Sequence, residues 1–112
     1  DNGIKRYNQQ FEIKIYSIIE ELINNIIKHS NASNASINLI ERNGEKLIIQ
    51  IIDDGDGFDT TRARRKDGLG LSHIDARIKI MKGVFNINSK VGEGTSIFIS
   101  VPIHQPELVE AV

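Results

Sequence analysis

Four short clusters in this 112-residue chain hold side chains that could do chemistry. In EELINNIIKHS, Glu21 and Asn25 are four residues apart and Lys28 follows three later, so a helix would project all three from one side. A carboxylate there can accept a proton, a carboxamide can ligate Mg²⁺ and an ammonium can meet phosphate. The same trio also fits a solvated helix face. The second cluster, DDGDGFD (53–59), directly follows an apolar run. Its glycines let a ligand pack against backbone, and Asp53 stands where a strand would end, which anchors its carboxylate. A plain turn fits this stretch too. A Ca²⁺ loop does not, because the Glu at the twelfth position and the flanking helices of an EF-hand are missing. Third, Gly68-Leu69-Gly70 opens a helical pattern, where free N–H groups and the positive dipole end favour phosphate. It is neither a Walker loop, since no GKS or GKT follows, nor a Rossmann loop, since a basic segment and not a strand precedes it. Fourth, VGEGTSIF puts Thr95 at the entry of a strand behind Gly92 and Gly94, a pattern an ordinary hairpin turn also shows.

These clusters need elements to position them. From about Phe11 to Ser30, Phe11, Ile15, Ile18, Ile19, Leu22, Ile23, Ile26 and Ile27 fill one arc at helical spacing, and Lys14, Ser17, Glu21, Asn24, Asn25 and Lys28 fill the other. Asn25 falls at the rim of the apolar arc. SNASNAS (30–36) breaks the helix. A hairpin follows, ASINLIER and EKLIIQIID around Asn43-Gly44, a two-residue turn signal. Its second strand is apolar on both faces except at Gln50, which predicts a central position. Residues 60–67 (TTRARRKD) read as a mobile loop, either simply solvated or a lid whose Arg62, Arg64, Arg65 and Lys66 approach phosphate on closing. A second helix spans about Leu69 to Lys82, with Gly83 as its C′ residue. VFNINSKV and TSIFISVPI form a second hairpin, and 104–112 is a tail. The order helix, two strands, helix, two strands, with alternating outer strands, predicts an α+β two-layer sandwich with helices on one face of the sheet.

Composition excludes several classes. Net charge is -1, with 14 Lys+Arg against 15 Asp+Glu, so no basic field exists to track nucleic acid. Cys is 0, which rules out disulfides, thiolate metal sites and a cysteine nucleophile. No apolar run approaches the ~20 residues of a membrane span. The chain starts at Asp1, and a piece excised from a longer protein is expected.

The joint order of the four clusters, EELINNIIKHS, IIDDGDGFD, GLGLSHIDARI and GEGTSIFISVPI, resembles the ATP-binding catalytic domain of bacterial sensor histidine kinases. That domain belongs to the superfamily with gyrase, Hsp90 chaperones and MutL proteins; the N-x-x-K-H ending and short lid resemble its nitrate-sensor-type kinases. The resemblance covers roughly 11–103 and implies one Bergerat-type domain over 1–112, a mixed sheet, and ATP and Mg²⁺ as cofactors. It assigns Asn25 to Mg²⁺, Glu21 to the general base, Lys28 to the phosphates and His29 to the nucleotide cleft. Asp53 would accept from the adenine amino group, with Gly55 and Gly57 closing that pocket. Gly68, Gly70 and Leu71 would lie at the phosphates, and Thr95 near adenine and a bridging water. Asp54 departs from the family's usual Asn and would add negative charge beside the site. The phosphoacceptor histidine is expected on a separate upstream dimerisation domain, so His29, His73 and His104 are not acceptors, and His73 is expected at the surface or against the lid. Further expectations are a response-regulator partner, a monomeric isolated domain in a homodimeric, cytoplasmic kinase, and no nucleic-acid partner. A serine kinase of the anti-sigma-factor type and a non-catalytic ATP-binding module are the alternatives.

Overall fold

A computed structural model describes residues 7–27, 30–57, 59 and 70–104. Helix α1 (Gln9–Leu22) begins two residues before the expected Phe11 because Asn8 caps it: its Oδ1 accepts from the N–H groups of Gln10 at 2.9 Å and Phe11 at 3.4 Å. Phe11, Ile15, Ile18 and Leu22 face inward. The expected single helix does not stay α-helical to its end. Ile23–Ile27 form a π-helical turn, the wide-turn irregularity often found at functional sites, and it carries Asn25. Ile26 still reaches the core with no exposure.

Strands β1 (Ala35–Arg42) and β2 (Lys46–Asp53) form the first hairpin. Asn43 and Gly44 both take positive φ, 57° and 68°, as a type I′ turn requires. Pairing resumes at Arg42–Lys46, so the loop has three residues and not two. The third, Glu45, accepts the Ile103 N–H on its carbonyl at 2.8 Å. Helix α2 (Leu71–Ile80) starts at Gly70. It ends in a Schellman arrangement, with Gly83 N–H to the Ile78 carbonyl and Lys82 N–H to the Lys79 carbonyl, both at 2.9 Å. Lys82 takes the left-handed conformation (φ 63°) expected of Gly83. Gly83 serves instead for close approach, since a Cβ there would strike the Ser100 carbonyl and Val101.

Strands β3 (Val84–Ser89) and β4 (Thr95–Pro102) complete a sheet ordered β1-β2-β4-β3, with β2 inside as expected. Among the described residues the sheet has four strands and no parallel pair, where a mixed sheet was expected. All three described pairings are antiparallel, because β4 returns from β3 and inserts beside β2, keeping β2 and β3 apart. Along β2 and β4 the odd-numbered residues face the helices. Leu47, Ile49, Ile51, Ile97, Ile99 and Val101 pack there with Leu71, Ile74, Ile78 and Met81. The helix layer stops short of β1, so Ile37 and Leu39 are exposed although they pair with Ile51 and Ile49.

Candidate nucleotide site

The helix-facing row changes character at one end of the sheet. After Ile51, Ile97 and Ile87 come Asp53, Thr95 and Ser89, paired across β2, β4 and β3. All three are buried, Asp53 to 5% exposure and Thr95 to 3%. Oδ1 of Asp53 accepts the Gly55 N–H at 2.8 Å. Oδ2 is buried and has no hydrogen-bond partner among the described residues. An unpaired buried carboxylate oxygen is costly in a folded protein, and a ligand N–H donor would satisfy it. The floor is closed by tight backbone. A Cβ on Gly55 would strike the Ser30 carbonyl, and one on Gly57, whose φ is 68°, would strike the Lys90 carbonyl.

Asp54, beside Asp53, has partners of its own. Its Oδ1 accepts the N–H groups of Ser33 and Asn34, each at 2.9 Å, and its Oδ2 accepts the Asn34 side-chain amide at 3.0 Å. The charge therefore organises the loop between the π-helical turn and β1. Those bonds, Asn34's backbone N–H foremost, hold the Asp54 carboxyl below the ordinary 3.8. A folded value below the unfolded one means that the contribution to stability is complete above the unfolded pKa and fades as pH falls through the folded pKa. Asp54→Ala is thus expected to lower the thermal midpoint at neutral pH, with the gap to wild type closing as the pH is taken below 3.8. Melting curves across that range check it; a gap constant with pH would contradict it.

A second group of side chains gathers where α1 meets the start of α2. Gly70 caps α2 with φ 69°, and a Cβ there would lie 3.4 Å from Glu21 Oε2 and 3.5 Å from Asn25 Nδ2. Across the π-helical turn, Glu21 and Asn25 still converge on the helix N-terminus. Glu21 is bridged by α2. Arg77 Nη1 donates to its Oε1 at 2.7 Å and His73 Nδ1 lies 3.3 Å from its Oε2. Arg77 Nη2 also donates to Ser17 Oγ at 2.8 Å, which fixes the guanidinium. His73 is at the surface, 65% exposed, as expected.

The two parts correspond to different expected functions. Asp53, Gly55, Gly57 and Thr95 form the buried end of the sheet. Glu21, Asn25 and Gly70 stand at the start of α2. Leu71 is fully buried in the core, so only its backbone N–H can serve a ligand. Lys28, His29, Gly68 and the basic residues of 60–67 lie outside the described residues. Sequence reasoning missed Arg77 and Ser89. A polar residue on the core face of a strand was a usable signal for Ser89; nothing in the helical pattern marks Arg77. Among the described residues no group of three His, Cys, Asp or Glu could cage a metal. Mg²⁺ commonly takes one or two protein ligands and completes its shell with water and phosphate, and the Asn25 carboxamide suits that role.

Comparison with known proteins agrees with this layout. Residues 10–105 match the family model described as histidine kinase-, DNA gyrase B- and HSP90-like ATPase. The signal transduction histidine-protein kinase/phosphatase DegS of Bacillus subtilis is 33% identical over 101 residues, covering 88% of this chain and 26% of DegS. The chain thus spans about a quarter of the length of that relative. Among solved structures, the Acinetobacter baumannii histidine kinase AdeS superposes with a TM-score of 0.66 at 26% identity, over 82% of this chain and 47% of that one. The Erythrobacter litoralis blue-light activated histidine kinase gives 0.67 at 20% identity, over 80% and 30% respectively, and supports the fold. With the family model spanning nearly the whole chain and the buried acidic site in place, the chain belongs to the histidine kinase-, DNA gyrase B- and HSP90-like ATPase family.

Proposed function

We propose that the chain is a single domain, with its core at about 11–103, that binds Mg²⁺-ATP and delivers the γ-phosphoryl group to a histidine on a separate dimerisation domain of a homodimeric sensor kinase. That phosphoryl group would pass on to a response regulator. A cytoplasmic placement accompanies this reading; among the described residues no helix is long and apolar enough to cross a membrane. The observation that carries the reading is the unpaired, buried Oδ2 of Asp53. It is an acceptor awaiting a donor at the end of β2, and the adenine amino group is such a donor.

Position supports each further role in this reading. The α2 N-terminus, where left-handed Gly70 supplies no side-chain cap, offers donors and a positive dipole end to the phosphates. Asn25 would hold Mg²⁺, which when bound supplies positive charge against the phosphate oxygens. Glu21 stands at the same helix start and takes the proton of the attacking imidazole. The imidazole nitrogen bonds to the γ-phosphorus while the bond to the ADP oxygen breaks, giving phosphohistidine and ADP. The protein's part is mainly placement and charge.

The test mixes this chain with γ-labelled ATP and a histidine-bearing dimerisation domain, after ATP binding by the chain alone has been measured. Labelled protein stable in alkali and labile in acid is expected, the behaviour of a phosphoramidate. Acid-stable, alkali-labile label would assign a serine kinase instead, and absence of ATP binding would overturn the nucleotide reading.

A further inference from the structure

The buried row at the end of the sheet contains a hydrogen-bond chain whose direction can be deduced. Ser89 Oγ lies 3.0 Å from the Gly94 carbonyl oxygen. A carbonyl can only accept, so the single Ser89 hydroxyl hydrogen goes there. Ser89 Oγ also lies 2.8 Å from Thr95 Oγ1. With the Ser89 hydrogen already used, Thr95 must donate in that pair. The Thr95 hydroxyl therefore has no hydrogen left for a ligand and offers only lone pairs. Thr95 pairs directly across the ladder with Asp53, so its side chain is the cross-strand neighbour of a carboxylate whose Oδ2 is itself an unpaired acceptor. Two acceptors stand side by side, and neither can turn into a donor.

We propose that Ser89 sets the base selectivity of this pocket by holding the Thr95 hydroxyl hydrogen, so that Asp53 and Thr95 together present only acceptors to the purine six position and favour a donor there over a keto oxygen. The inference rests on the nucleotide reading above and adds a residue to it. Ser89 is a positioning residue, reaching the base through Thr95. Without Ser89, the Thr95 hydroxyl is free to rotate and to donate. A keto oxygen at the purine six position, repelled in the wild type, then gains a partner.

ATP and inosine triphosphate are suitable probes, since they differ at the purine six position and its adjoining ring nitrogen. Binding of both to this chain would be measured for wild type, Ser89→Ala, Ser89→Cys, Thr95→Val and the Ser89→Ala/Thr95→Val double variant. Ser89→Ala is expected to bind inosine triphosphate more tightly than wild type while ATP binding does not improve, narrowing the ATP preference about three- to tenfold, the worth of one neutral hydrogen bond. A gain in binding cannot come from damage to the fold. Ser89→Cys keeps the packing but gives only a weak donor and acceptor, so it should narrow the preference in the same sense even if the alanine variant folds poorly. In the Thr95→Val background, Ser89→Ala should leave the ratio unchanged, because the hydroxyl it would release is gone. Equal loss of both nucleotides in Ser89→Ala and Ser89→Cys, or a ratio as in wild type, would overturn the role of Ser89 while leaving the nucleotide reading standing. A wild-type chain that binds neither nucleotide would overturn both.

Discussion

Glu21→Gln in the proposed histidine kinase is expected to slow phosphoryl transfer to histidine about 10²–10⁴-fold, the usual contribution of a positioned general base. ATP affinity should change little, because the substitution keeps the shape of the side chain and an amide oxygen for Arg77, while removing the charge and the capacity to take a proton. The proposed base is held by its neighbours. Arg77 grips Oε1 at 2.7 Å and is itself tied to Ser17 at 2.8 Å. Arg77→Ala should therefore lower transfer as well, by about 10- to 10²-fold, since a base that is free to swing loses its alignment with the attacking nitrogen. Arg77→Lys should recover only part of that loss, because an ammonium cannot hold the carboxylate and the Ser17 hydroxyl with one rigid fork. Asn25→Ala differs in kind and should weaken Mg²⁺-dependent ATP binding together with transfer. Steady-state and single-turnover transfer, with ATP binding measured separately on each variant, distinguishes these outcomes. Normal transfer by Glu21→Gln would remove Glu21 from the mechanism.

The contrast between Glu21 and Arg77 shows where sequence reading stops. Glu21 is legible because Glu21 and Asn25 are near in the chain, and helical spacing alone places them on one side. Arg77 is 56 residues away, and its approach to Glu21 depends on how α2 lies against α1, which no local pattern encodes. Asp54 shows the same limit. Its neighbours in sequence suggest a charge beside the nucleotide pocket and give no sign of its partners Ser33 and Asn34, on a loop 21 and 20 residues earlier. The π-helical turn is silent for a different reason: the apolar residues of 23–27 fit a continuous helical arc in sequence, and the wide turn still leaves Ile26 in the core. The sheet order is largely readable, since LIIQII, apolar on both faces, belongs inside and partly alternating ASINLIER at an edge. The pairing direction is not, because antiparallel and mixed sheets bury the same alternating residues. The buried end of the sheet is the most legible part of the site. Asp53 and Thr95 are polar residues at positions where alternation demands an apolar one, each beside glycines that clear space.

That end of the sheet governs the second large effect, the choice of base. An ionised carboxylate only accepts hydrogen bonds. Asp53 Oδ1 is already committed to the Gly55 N–H at 2.8 Å, and the buried Oδ2 remains. Adenine presents an amino donor at its six position, whereas guanine presents a carbonyl oxygen there, so acceptor would face acceptor in a site 5% exposed at Asp53. An unmet buried polar group costs about 1–3 kcal/mol, more when charged, which sets the expected preference for ATP over GTP at about tenfold or more. Asp53→Asn should weaken ATP binding and shrink that preference. Its amide oxygen can keep the bond to Gly55 N–H while its NH₂ replaces Oδ2, presenting a donor that suits the guanine oxygen and opposes the adenine amino group. Thr95→Val should weaken ATP binding less than Asp53→Asn, because it removes a neutral acceptor and not a charge-assisted one. Competition binding of ATP and GTP to wild type and both variants measures all three effects. Equal affinity of the wild type for the two nucleotides would show that Asp53 does not read the base, and the adenine would have to lie elsewhere in the domain.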